Sequence, residues 1–135
     1  MPVTYQVATT VRTNNGSVTV PTVSVTGDAE LVYDDSIAAA TTNKEIVLAV
    51  DVSEAKCIVI VTDGLTTGKT MTLKTNSSGT PVDTLTLVPG ALGVVWFTGS
   101  TAPNPFSADV TKFFVSSDDT VARRLRIYVC ADVTP

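Results

Sequence analysis

The sequence predicts an all-β fold: an antiparallel β-sandwich, jelly-roll-like, built from eight to nine short strands. Three observations predict it. Thr and Val account for 23 and 22 of the 135 residues, a third of the chain in two β-branched types. Their stiff χ1 rotamers suit a pleated sheet better than a helix. Apolar residues recur at every second position in most segments, the period of a strand with one buried face. These segments are separated mainly by Gly, Pro, Asn and Asp, the spacing of a sandwich rather than of βαβ units.

Val3 to Arg12 is polar and Thr-rich, with Val3, Tyr5, Val7 and Val11 as its regularly placed apolar residues. Asn14-Asn15-Gly16 predicts a turn, because Asn and Gly tolerate positive φ. Val18 and Val20 then alternate, as do Val23 and Val25, but the phase slips by one residue across Pro21. A proline removes a ladder donor, so this slip marks an edge strand or a bulge. Asp34 to Thr42 is the one place where a short helical turn is expected, capped by Asp34 or Asp35.

From Glu45, Ile46, Leu48, Val50 and Val52 alternate as a strand. Lys56 to Thr62 is apolar on both faces, as a central strand should be. Thr70 to Thr75 and Asp83 to Val88 form a hairpin across a long loop, with Met71, Leu73, Leu85 and Leu87 inward. Val94 to Phe97, Lys112 to Ser116 and Ala122 to Ala131 complete the set. In the last strand Leu125, Ile127 and Val129 face one side, and Arg124, Arg126, Tyr128 and Cys130 the other. The expected core draws on Ile46, Leu48, Val50, Ile58, Ile60, Leu73, Leu85, Leu87, Phe113, Leu125, Ile127 and Val129. Residues 1–14 read as an N-terminal arm or a first strand, and residues 15–135 as a single β-sandwich domain.

Composition excludes more than it assigns. Hydrophobic residues are 44% and charged ones 16%, enough apolar surface for a core. A net charge of -4 argues against a nucleic-acid partner held through phosphates. No apolar run approaches the ~18 residues of a spanning helix, and Met1 to Tyr5 lack a signal-like basic or apolar stretch, so no membrane partner is expected. There is no histidine, which removes the commonest general base and transition-metal ligand.

Asp63-Gly64-Leu65-Thr66-Thr67-Gly68-Lys69-Thr70 ends like a P-loop, but Asp63 occupies the first glycine position. The following Met71 to Thr75 alternates as a strand where a phosphate-binding loop needs a helix. Asp34-Asp35 and Asp118-Asp119 lack the alternating spacing of a calcium loop and read as solvated turn residues. Spacing leaves a glycosidase pair open, but none of the three glutamates, Glu30, Glu45 and Glu54, lies in an aromatic-rich context, and Trp96, Tyr5, Tyr33 and Tyr128 are too scattered to declare a sugar platform. Cys57 and Cys130 sit in apolar runs and are expected as buried free thiols; a disulfide needs neighbouring strands with Cα atoms within about 7 Å. Arg123, Arg124 and Arg126 crowd three positive charges into four residues, suited equally to an interface and to pairing with loop aspartates. No enzyme, cofactor or metal is therefore expected.

A polar N-terminal arm ahead of a Val-rich, acidic, Thr/Ala/Gly-rich all-β domain of this size resembles the capsid decoration (cement) proteins of tailed bacteriophages. The resemblance covers the whole chain in character and rests on no diagnostic motif. It implies a virion structural protein on the capsid exterior, made in the host cytoplasm, that clamps neighbouring subunits of the major capsid protein, often as a dimer or trimer. A tail-tube or fibre-tip protein and a carbohydrate-binding module remain alternatives. Main-chain pairing with a neighbour's sheet edge is the natural mode for such an arm. The candidate partner-binding residues are accordingly Val3, Tyr5, Val7, Arg12, Arg124 and Arg126.

Overall fold

Alternation decides which way each side chain points, and strand register decides what it meets. The computed structural model describes residues 2–90 and 93–134. The strands are β1 (Val3–Thr13), β2 (Gly16–Gly27), β3 (Ala29–Ile37), β4 (Lys44–Ile46), β5 (Ala55–Thr62), β6 (Met71–Thr75), β7 (Thr84–Leu87), β8 (Val94–Phe97), β9 (Phe113–Ser117) and β10 (Arg123–Ala131). All pairing is antiparallel. One four-stranded sheet has the order β3-β10-β5-β8 and the other β4-β9-β6-β7, while β1 and β2 form a separate two-stranded ribbon. The fold is all-β and sandwich-like.

The core lies between the two four-stranded sheets. Ile58, Ile60, Leu125, Ile127 and Val129 enter it from one, and Met71, Leu73, Leu87, Phe113 and Val115 from the other. Every residue expected in the core belongs to this cluster, with Leu48 and Leu85 at its partly buried margin. Phe106 and Phe113 add a tilted aromatic pair, ring centroids 5.7 Å apart. The β6–β7 hairpin forms in the expected register, Met71 opposite Leu87 and Leu73 opposite Leu85.

Several expectations change. Asp34 to Thr42 holds no helical turn: Asp34 to Ile37 continue β3, and only the residues after them turn. Register sets Asp34 opposite Arg126, and Ile37 is fully buried, so ladder and core override an alanine-rich stretch. The strand expected from Glu45 to Val52 shrinks to β4 and one isolated bridge, Val50 with Val110. Its alternation survives, because Ile46 and Val50 are buried without a continuous ladder. Among the described residues β3 brings the strands to ten rather than eight or nine.

The slip at Pro21 is a bulge in an edge strand, as the alternation predicts. Register runs Val3↔Gly27, Tyr5↔Val25 and Val7↔Val23, then resumes at Thr9↔Val20, so β2 spends two residues where β1 spends only Ala8. A two-residue turn, Asn14-Asn15, joins the strands; Gly16 alone there has positive φ, at 130°. The domain boundary drawn at residue 14 thus falls in the tip of the ribbon. Its base is seated on β10: Asp28 N–H donates to the Ala131 carbonyl at 2.9 Å. Gly27 is required there for space, since a Cβ would stand 2.3 Å from the Ala131 carbonyl oxygen and 2.9 Å from Cys130 Sγ.

Two expectations follow. Ile60→Ala removes a fully buried side chain between the sheets and should lower unfolding free energy by about 2–5 kcal/mol in urea titration. Gly27→Ala should cost about 1–3 kcal/mol by overpacking the seam and speed thiol labelling of Cys130, which the lifted ribbon uncovers. Unchanged labelling would mean that the ribbon does not shield this sheet face.

Candidate functional site

The charged and polar clusters prove to be fastenings of the fold. Asp118-Asp119 is not a pair of solvated turn residues, because Asp119 is fully buried. Its carboxylate accepts from Thr66 N–H and Thr66 Oγ1 (both 2.9 Å), from Val121 N–H and from Arg123 Nε (both 3.1 Å). These donors, the Thr66 amide foremost, hold it well below the usual carboxylate range. Asp118 accepts from Thr70 N–H at 2.8 Å, so both aspartates hold the P-loop-like segment. That segment bends with Gly68 at φ 83° and runs from Thr70 into β6, a strand.

Asp34 likewise lies in a strand. It receives Arg124 Nε, Arg126 Nε at 3.6 Å and the Tyr128 hydroxyl at 3.2 Å, and its carboxyl is lowered mainly by the Arg124 hydrogen bond. The arginine cluster is therefore paired within the chain: Arg123 with Asp119, Arg124 and Arg126 with Asp34. The side chains of Arg124 and Arg126 remain about half exposed.

Among the described residues no group of three or more Cys, Asp or Glu side chains is placed to hold a metal ion. A cavity of about 280 Å³ opens at one end of the sandwich, lined by Leu31, Val50, Val129 and Val133 with Asp51 and Glu54 at its margin. Asp51 is already engaged by Ser53 N–H and Oγ. Apolar walls without convergent free polar groups offer little to orient a ligand.

The ribbon is different. Eleven residues of β1 extend about 35 Å, and the Pro21 bulge keeps its apolar residues in phase. Without the extra residue, Val18 and Val20 would face away from Val23 and Val25. With it, one face carries Tyr5, Val7 and Val25 near the base and Val11, Val18 and Val20 toward the tip. The other face carries Thr4, Gln6, Thr10, Arg12 and Thr19.

The two halves of the apolar face meet different surroundings. Val25 is buried with Cys57 and Cys130, and Val3, Tyr5, Val7, Val59 and Phe97 pack around them. Tyr5 donates its hydroxyl to Glu30 at 2.5 Å, and burial, reinforced by that carboxylate, raises its pKa. Beyond this contact the valines are uncovered, from 36% exposed at Val23 to 58% at Val18. Val3, Tyr5 and Val7 thus face the protein's own sheet. Arg12 is exposed near the tip and makes no ion pair among the described residues. Sequence reasoning singled out Val3, Tyr5 and Val7 at the base of β1 and Arg12 near its tip but missed the exposed valines of the tip, although the phase slip at Pro21 was the signal that unites both strands on one face.

Cys57 and Cys130 sit directly opposite one another on β5 and β10, buried and free. Neighbouring strands alone have not joined them. Cys130 Sγ points toward the Val3 carbonyl at 3.7 Å, under the ribbon. Burial, with the adjacent Cys130 second, pushes the Cys57 thiol up to about 11.

Because Asp119 is depressed in the folded protein, its contribution to stability is present above the unfolded carboxylate value near 4 and is lost as pH falls below it. Asp119→Asn should melt lower than the wild type at neutral pH and lose less of its melting temperature between about pH 5 and pH 2. Parallel acid limbs in the two proteins would remove Asp119 as the acid-sensitive fastening. Comparison of the chain with protein-family models, curated proteins and solved structures finds no match.

Proposed function

We propose that this protein is a non-enzymatic virion structural protein that decorates a phage capsid and stabilises it by bridging neighbouring capsid subunits. The observation that carries the reading is the ribbon, an arm built into the fold at its base and uncovered beyond it. Such an arm contributes little to its own domain past Val7, and its reach serves contact with another surface. The polar face, with Arg12 and a row of threonines, suits a neighbouring shell subunit: short side chains pack closely at small entropy cost. The outer edge of β1 adds unpaired main-chain groups for strand addition. On a symmetric shell many such weak contacts act together.

Strand order supports a jelly-roll path. β3 pairs with β10, β4 with β9, β5 with β8 and β6 with β7, nested like one long hairpin, with successive pairs falling in opposite sheets. Viral capsid domains use this two-Greek-key arrangement, as do lectins and cupins. A sugar-binding role is the weaker use of it here. Trp96 and Tyr33 pack against the core, and Tyr5 and Tyr128 are tied to Glu30 and Asp34. No outer aromatic platform results.

Cryo-EM of virions of the phage that encodes this chain should show its density on the capsid exterior, bridging adjacent major capsid subunits. Replacing residues 9–20 by an Asn-Gly turn should empty those positions and leave the melting temperature of the free protein within a few degrees of wild type. Density confined to the tail, or full occupancy without the tip, would overturn the reading.

A further inference from the structure

We propose that the uncovered apolar half of the ribbon docks on the outer face of the β3-β10-β5-β8 sheet of a second copy of this chain. The donor surface is Val11, Val18, Val20 and Val23, which register places on one face. Arg12 lies on the opposite face, so covering these valines desolvates no charge. The acceptor is written in the registers of the sheet. Glu30, Cys130, Cys57 and Phe97 form one outward row across the four strands, and the protein's own ribbon base already lies against it. Val32, Tyr128, Val59 and Val95 form the next outward row. The two ends of that row are open to solvent, Val32 at 45% and Val95 at 43%.

The contact inside the chain shows the chemistry that fits. Valines and a tyrosine from the ribbon already cover an apolar row of this sheet, and the adjacent row offers more of the same surface beside it. Each chain carries one uncovered ribbon half and one row open at both ends, Val59 in its middle already packing against the ribbon base, so donor and acceptor balance when the occupant is another copy. The other outward neighbour, Asp34 with Arg126, is an ion pair; it bounds the apolar row and favours lengthwise seating over it.

Area decides the geometry. Four half-exposed valines offer on the order of a few hundred Å², below the roughly 800 Å² per partner of a stable interface. One ribbon on one sheet is too little. A two-fold pair in which each copy gives its ribbon and receives the other's doubles the contact and closes the assembly. The net charge of -4 opposes pairing, and salt relieves that repulsion while leaving the apolar contact in place.

The proposal concerns the free protein in solution and is independent of the capsid reading, so either can fail alone. Sedimentation equilibrium of the full chain up to roughly 200 µM should show a monomer–dimer equilibrium that tightens with added salt. Val18→Lys on the donor and Val95→Lys on the acceptor should each weaken it by about tenfold or more. Both positions are exposed, and an unchanged melting temperature certifies each fold. A wild-type monomer throughout the range overturns the proposal. So does a dimer indifferent to either substitution, which would place the contact on another surface.

Discussion

The pairing of β5 with β10 is the constraint on which the other parts depend. It joins residues far apart in sequence, Ile60 to Ile127 and Cys57 to Cys130, and places both strands in the middle of their sheet. Inward, this pair contributes five of the aliphatic side chains that fill the space between the sheets. Outward, it presents the two thiols on which the ribbon rests. Loop-closure entropy opposes so distant a contact. The buried Asp119 helps offset it by tying the approach to β10 to the loop that leaves β5, through Thr66 and Arg123. A carboxylate that reads as a solvated turn residue in the sequence is the fastening of the central pair.

Strands with one buried face were legible because burial imposes a period of two, and that period survives where hydrogen bonding does not. Val50 shows this: it points inward as its alternation requires, yet among the described residues its ladder contact is an isolated bridge to Val110. β3 was hidden for the complementary reason. Its outward Glu30, Asp34 and Ser36 and the alanines after Ile37 look like a loop entering a helix, and only Arg124 and Arg126 across the ladder make the acidic face affordable. Aspartates were the least readable residues. A buried Asp119 and a strand-borne Asp34 have the same local appearance as turn residues, since their partners lie 53 and 90 positions away. For the ribbon, sequence located the bulge but not what the strands flanking it would cover.

Pro21 acts in two ways at once. As a bulge residue it restores the phase of β2, so that the apolar face continues past the point where the sandwich stops supporting it. As a proline it also has no N–H to offer a further strand. A long ribbon with open edges and few charges would otherwise invite unlimited edge-to-edge pairing. In the proposed dimer, one apolar face and the donor missing at Pro21 favour face contact, which can close, over strand addition at β2, which need not.

The scarcity of charge has its explanation in the same geometry. Most of the arginines are consumed inside the chain, holding Asp34 and Asp119, and Arg12 alone is carried out along the ribbon. Threonine, with Ser17, Ser24 and Gln6, covers the remaining polar positions of β1 and β2, keeping them soluble with mostly short side chains that lose little freedom on contact. A surface of this kind gains little from any single polar contact and loses little entropy in making many. That fits the adhesion over an extended neighbour proposed above. The strongly perturbed groups, Asp119, Tyr5 and Cys57, are each held by partners of the fold itself, and on the ribbon beyond its base Arg12 is the one charged side chain.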